Sequence, residues 1–254
     1  MDKNAVTIVT GGGRGIGRAI ALRMAKETVV YVISRTSNDN AKVCEEIRQL
    51  GGRAVFNNGD VTDPRTAEAV VEFCLSNGLK VRNLICNAGI GKSGPTELCS
   101  RVNWDSVFNV NVNGTFNFIK ACLPTMVENK IGHICLISSI AGLVGVAYDT
   151  AYSASKHALV GMAKSLAKEH GRNGIVTGAV CPHFVESEMT ERTISSVADR
   201  NRISGGEAWW RVAKTNPQRR IIPAEEVAEM VAFVCGGKVP SLSGSAIVLA
   251  GGGV

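Results

Sequence analysis

The sequence predicts one α/β domain: a single doubly wound, Rossmann-type parallel sheet of about seven strands with helices on both faces. Three observations lead there. Short apolar runs recur along the 254 residues, and they are continuous rather than alternating, as strands buried on both faces require. Segments with helical spacing separate them. The first run ends in a cluster of glycines that opens directly into such a segment.

The elements follow in order. VTIVT (6–10) reads as the first strand, and 15–27, with Ile16, Ile20, Leu22 and Met24, as the first helix. VVYVIS (29–34) is the second strand, and a polar helix near 38–50 closes on Gly51-Gly52. RAVFN (53–57) is a third strand, followed by a helix over 63–77 that Asp63-Pro64 opens. NLIC (83–86) is the fourth strand, and 104–129 a long helix despite β-branched residues and Gly114. HICLIS (133–138), a helix over 150–171 and IVTGAV (175–180) continue the rhythm. A helix over 224–235 and the strand AIVLA (246–250) end it. Only 183–222 breaks the pattern, and a stretch too long for an ordinary connection is expected to be functional. No linker and no fixed-period repeat divides residues 1–254, so one domain is expected, with a substrate lid over about 188–216.

Composition narrows the classes. Hydrophobic residues make up 45% and charged residues 20%, enough to bury a core and unlike a disordered chain. No apolar run approaches the roughly 18 residues of a membrane span. MDKNAVTIVTGGG lacks the apolar stretch of a secretory leader, so a cytoplasmic location and no membrane partner are expected. The eight cysteines form no C-x-x-C pair, and only four histidines accompany them. No metal site is expected, and most thiols read as small buried hydrophobes.

Net charge is +6, with a pI near 9.0, which raises an anionic partner. Much of the excess lies between Arg192 and Arg220, where Arg192, Arg200, Arg202, Arg211, Lys214, Arg219 and Arg220 face only Asp199 and Glu207. A solvated helix face would explain the same charges. The stretch lacks basic-aromatic interleaving or a nucleic-acid motif, so no nucleic-acid partner is expected.

TGGGRGIG (10–17) fits T-G-x-x-x-G-x-G rather than G-x-G-x-x-G. Glycines between a strand and a helix let the backbone approach a pyrophosphate at the helix N-terminus, where free N–H groups favour negative charge. The second strand ends in Ser34-Arg35-Thr36, without the acidic residue that would bind a ribose 2′-hydroxyl. Arg35, with Arg14 from the glycine turn, suits a 2′-phosphate instead. NADP(H) is therefore the expected cofactor, although two exposed loop arginines would look the same.

These residues resemble the short-chain dehydrogenase/reductase family. T-G-x-x-x-G-x-G, Asn87-Ala88-Gly89, Asn111-x-x-Gly114, Ser139 and Tyr152-x-x-x-Lys156 occur in the family's order across essentially the whole chain. The resemblance implies a dinucleotide site built from Gly11, Arg14, Gly15, Ile16, Gly17 and Arg35. Asp60 and Val61 would lie at the adenine, Asn87, Ala88 and Gly89 along the sheet edge, and Pro182, Val185 and Ser187 under the nicotinamide. It implies a catalytic set of Asn111, Ser139, Tyr152 and Lys156. Three positions depart from the family pattern: Cys86 for Asn, His183 for Gly after Pro182, and Gly178 for Asn. A histidine at 183 would alter nicotinamide contacts or would simply be solvated.

The chemistry fits the residue types. Tyr152 and Lys156 are four apart and share a helix face. A tyrosine titrating near ~10 is a weak acid at neutral pH, and a neighbouring ammonium, together with the positive nicotinamide of the oxidised cofactor, is expected to lower it. In the family's reaction, Tyr152 gives a proton to the carbonyl oxygen and Ser139 hydrogen-bonds that oxygen. Lys156 also holds the nicotinamide ribose, and Asn111 holds a water linked to Lys156.

The likeness is strongest to 3-oxoacyl-[acyl-carrier-protein] reductases and polyketide ketoreductases, through YSASKHALVG, CPHFVESEM and NPQRRIIPAEEVAEMVAF. It implies an NADPH-dependent reductase of a 3-oxoacyl thioester, linked to CoA or to an acyl carrier protein, in fatty acid biosynthesis. Lys130, Lys168 and Arg172 lie where such carriers dock in the resembling enzymes. The alternatives are a reductase or dehydrogenase of a free ketone, sugar or steroid-like alcohol, and a non-enzymatic nucleotide- or RNA-binding module. Trp209-Trp210 reads as lid packing. The family implies a homotetramer assembled through 104–129, 150–171 and 246–250.

Overall fold

The computed structural model describes residues 4–254, so the first three residues of the opening segment lie outside it. The strands are β1 (Ala5–Thr10), β2 (Val29–Ser34), β3 (Ala54–Asn58), β4 (Lys80–Cys86), β5 (Gly132–Ile137), β6 (Ile175–Pro182) and β7 (Ser245–Leu249). They form one parallel sheet in the order β3-β2-β1-β4-β5-β6-β7. The helices are α1 (Gly15–Met24), α2 (Ser37–Gln49), α3 (Pro64–Ser76), α4 (Arg101–Phe108), α5 (Gly114–Asn129), α6 (Thr150–His170), α7 (Glu188–Asn201), α8 (Gly205–Ala213) and α9 (Ala224–Cys235).

Why the strands are apolar throughout is clear from where alternate residues go. On β1, Val6 and Ile8 join the layer under α3, α5 and α6, while Val9 joins the layer under α1, α2 and α9. On β5, Ile134 and Leu136 face the first layer, Cys135 and Ile137 the second. A period of two with both faces covered leaves no position for a polar side chain without a partner. The cysteines follow this rule: seven are buried, and Cys99 is partly exposed.

The sheet's topology positions the site. Strand order reverses direction between β1 and β4, opening a crevice beyond the carboxyl ends of the strands. Thr10, Cys86, Ile137 and Pro182 all end at that edge.

Two segments differ from the sequence expectation. The long helix begins at Arg101, where Ser100 accepts a bond from the Asn103 N–H at 3.2 Å. It continues into α5 through a π-helical segment, Asn109–Asn113. The stretch 183–222 holds two helices, α7 and α8, capped by Ser187 and Ser204. Helix α7 buries only Thr190, so its sequence carries almost no apolar stripe. Among the described residues no helix is long and apolar enough to cross a membrane, and no cluster of potential metal ligands occurs.

Candidate active site

The glycine turn is shaped by contacts no larger residue allows. Gly11 and Gly15 have left-handed backbones, with φ of 64° and 51°. A Cβ on Gly11 would meet Ala88 Cα at 2.9 Å, and one on Gly17 would collide with the Gly11 carbonyl oxygen. Gly15 meets only Ser187 Cβ, at 3.5 Å. The turn thus lies against the end of β4 on one side and the start of α7 on the other. Three residues separate Gly11 from the first turn of α1, whose N–H groups are unpaired by the helix itself. This bare backbone cradle at a helix N-terminus fits a dinucleotide pyrophosphate.

Thr10 and Asn87 hold the cradle in place. The Thr10 hydroxyl accepts from the N–H groups of Asn87 (3.0 Å) and Ala88 (3.1 Å). The Asn87 amide donates to the carbonyls of Thr10 (3.0 Å) and Gly11 (3.1 Å). Asn87 therefore ties β4 to the turn from β1. Thr10, the first letter of the glycine motif, was legible there but not read as a site residue.

Arg35 is exposed beyond β2. Its strand end is fixed by buried Asn40, which donates to the carbonyls of Ser34 (3.2 Å) and Asn57 (3.1 Å) and accepts from the Ser34 hydroxyl at 2.6 Å. Arg14 is not free: its guanidinium pairs with Glu188 at 2.7 Å. Asp60 accepts from the Thr62 N–H and hydroxyl at 2.9 and 2.8 Å. Val61 is buried, packs where a Cβ on Gly114 would lie, and offers its carbonyl to Asn117 at 3.0 Å. Ile16 is half-buried beside the layer that α1 covers.

Ser139, Tyr152, Lys156 and Asn111 come together at the ends of β5 and α6. Ser139 follows β5, and its hydroxyl hydrogen-bonds Tyr152 and donates to the Pro182 carbonyl at 3.4 Å. Lys156 is buried at 4% exposure, and its ammonium donates to the Ile137 carbonyl at 2.8 Å. The same ammonium lies 5.5 Å from the Tyr152 ring centre. A Cβ on Gly89 would sit 3.3 Å from Asn111 Oδ1 and 3.4 Å from Lys156 Nζ, so Gly89 is the spacer between them.

Burial dominates the electrostatics of the pair. Burial pushes the Tyr152 hydroxyl up to about 12, against a lowering by the Ser139 hydrogen bond, with Asp149 raising it further. Burial also pushes Lys156 down to about 8, with the Cys181 thiol opposing. The Lys156 ammonium donates to the Ile137 carbonyl, and desolvation is the largest influence on the tyrosine.

Other side chains have partners that the sequence did not reveal. Asn111 lies in the π segment, accepts from the Ile90 N–H at 2.8 Å, and donates to the Ile90 carbonyl and the Ser155 hydroxyl, both at 2.9 Å. Its carbonyl accepts from the Thr115 hydroxyl at 2.8 Å. Ser187 caps α7, accepting from the Thr190 N–H at 3.3 Å and donating to the Val185 carbonyl at 3.1 Å. His183 is not simply solvated: its half-buried ring lies edge-on to Phe184, and its backbone N–H donates to the Leu249 carbonyl at 2.9 Å. Burial lowers its pKa. The Ile137 carbonyl, Cys181 and Ser155 carry no sequence signal as site residues, because their roles depend on packing alone.

Comparison with known proteins gives a consistent result. The short chain dehydrogenase family profile matches residues 5–198. A crystal structure of a variant of actinorhodin polyketide ketoreductase with NADPH superposes with a TM-score of 0.95 at 34% identity, covering 98% of this chain and 97% of that one. The 3-oxoacyl-[acyl-carrier-protein] reductase FabG of Salmonella typhimurium is 30% identical, over 97% of this chain and 96% of its own. Cyclohexanol dehydrogenase of Acinetobacter sp. is 32% identical, over 98% and 94%.

Proposed function

Because the chain belongs to the short-chain dehydrogenase family, we propose that this oxidoreductase uses NADPH to reduce the ketone of a 3-oxoacyl thioester to a secondary alcohol. The observation that carries the reading is the hydrogen-bonded pair of Tyr152 and Ser139 beside buried Lys156, at the same sheet edge as the glycine cradle. Bound NADPH supplies the hydride. The Tyr152 hydroxyl, protonated at neutral pH, gives its proton to the carbonyl oxygen, and the positive charges of Lys156 and of the oxidised nicotinamide would offset the raising effect of its burial. Ser139 offers that oxygen a hydrogen bond. Lys156, held by the Ile137 carbonyl, fixes the ring from behind and binds the nicotinamide ribose. Asn111 keeps Ile90 and Gly89 in register with this group, and its π-helical backbone is where a proton-carrying water would be held. Gly11, Gly15, Ile16 and Gly17 cradle the pyrophosphate, Asp60 and Val61 the adenine. Ala88 and Gly89 line the sheet edge, and Pro182, Val185 and Ser187 pass under the nicotinamide.

The thioester assignment rests on the charge of α7, α8 and the segment after them, read as a substrate lid over about 188–216. Three of the seven cations are neutralised locally, by Arg192–Glu188, Arg211–Glu207 and Arg220–Glu226 pairs. Arg200, Arg202, Lys214 and Arg219 make no side-chain ion pair among the described residues. They suit the phosphates of CoA or an acidic carrier, with Lys130, Lys168 and Arg172 as a second basic group. A free cyclic ketone is the second reading, favoured by the likeness to a cyclohexanol dehydrogenase.

A substrate panel tests the choice. NADPH oxidation is followed with acetoacetyl-CoA, cyclohexanone and a keto sugar. Turnover of the thioester above the others is expected; none with the thioester discards the assignment. Arg35→Asp is expected to move preference toward NADH, and an unchanged preference rejects the role of Arg35.

A further inference from the structure

Arg14, expected to meet a 2′-phosphate, already has an anion. Its guanidinium lies 2.7 Å from Glu188 Oε2, and Glu188 is the first residue of α7. The same oxygen also accepts from Arg192, one turn along, at 3.1 Å. One carboxylate is thus shared by two guanidiniums. The arrangement bridges two elements, because Arg14 stands at the N-cap of α1 and Ser187 rests against Gly15. Two helix N-termini therefore converge on the glycine turn, with a negative side chain between them.

We propose that Glu188 is a specificity-determining residue that competes with the 2′-phosphate of the dinucleotide for Arg14, and so sets how strongly the protein favours NADPH over NADH. The inference rests on the dinucleotide reading above.

The physical case has three parts. Both Arg14 and Glu188 are about half exposed, so the pair is weak and can exchange partners. A phosphate carries close to two charges and more acceptor oxygens than a carboxylate, so it wins the guanidinium when present. When Arg14 leaves, Glu188 keeps Arg192 and no charge is stranded. Competition of this kind weakens NADPH binding relative to a chain with a neutral residue at 188. NADH has no 2′-phosphate and is indifferent to it.

The test is a fluorescence titration of NADPH and NADH into the wild type, Glu188→Gln, Arg14→Gln and the double variant, without substrate. Glu188→Gln is expected to tighten NADPH about five-fold, about 1 kcal/mol, while NADH changes less than about two-fold. In the Arg14→Gln background the gain is expected to vanish. An unchanged NADPH affinity in Glu188→Gln overturns the proposal. So does an equal tightening of NADH, which would mean plain repulsion of the shared pyrophosphate, and so does a gain that survives without Arg14. A wild type that binds NADH more tightly than NADPH overturns the NADPH assignment instead. Circular dichroism of each variant separates these results from misfolding.

Discussion

At the residue scale, Tyr152 is the most exposed to test. Removing its hydroxyl removes the proton donor and the partner of Ser139, while the ring and its packing stay. Tyr152→Phe is expected to lose about 100-fold or more in kcat with an unchanged melting temperature, measured by steady-state kinetics and thermal denaturation. Gly17→Ala tests the cradle. Its Cβ would meet the Gly11 carbonyl and the Asn87 amide, so a loss of roughly 1–3 kcal/mol in stability is expected, together with loss of dinucleotide binding in titrations. The glycine turn and the Ser, Tyr and Lys positions were legible because backbone approach and shared helix faces dictate spacing. The partners of Asn111 and Arg14 were not, since spacing says nothing of which atoms a flexible polar side chain will meet. The raised pKa of Tyr152 was hidden for a related reason: desolvation depends on the whole surrounding shell.

At the scale of elements, the strands and most helices could be read from apolar runs and periodicity. Helix α7 could not, because its stability comes from caps and ion pairs rather than an apolar face. The π segment was also invisible, as one extra residue in a turn leaves no mark on composition. The N-terminal ends of the strands carry another unread feature. His133 on β5 bonds Asn83 on β4 at 2.9 Å, Asn83 bonds Thr7 on β1 at 2.9 Å, and Thr7 meets Thr28 at 2.7 Å. Burial lowers His133 to about 4 from 6.5. The unfolded chain then binds more protons than the folded one between those values, so stability rises with pH across that window. Acidification from pH 6.5 toward 4 is expected to cost up to roughly 3 kcal/mol from this group alone. Urea denaturation at several pH values measures it, and His133→Gln is expected to flatten the slope.

For the whole molecule, the single sheet and its two covering layers leave some apolar side chains uncovered. Phe116 on α5 and Val248 on β7 are exposed at 53% and 45%. They lie on the segments expected to join subunits, and we propose assembly as a homotetramer through them. Phe116→Glu is expected to shift the species seen by analytical ultracentrifugation to smaller ones while circular dichroism stays unchanged. The distribution of +6 net charge was legible along the chain, but its pairing was not. Folding joins Arg14 to α7 and Arg23 on α1 to Glu229 on α9 at 2.8 Å, contacts between residues far apart in sequence.

The burial of seven of the eight thiols has a practical consequence. A maleimide dye added to the native protein should couple once, at Cys99, whose cavity of about 280 Å³ is also bordered by Thr150, two residues from Tyr152. That makes the chain a natural single-label reporter for optical spectroscopy just ahead of α4. The other seven thiols then form a silent reserve, and their reaction with Ellman's reagent times each global opening of the fold.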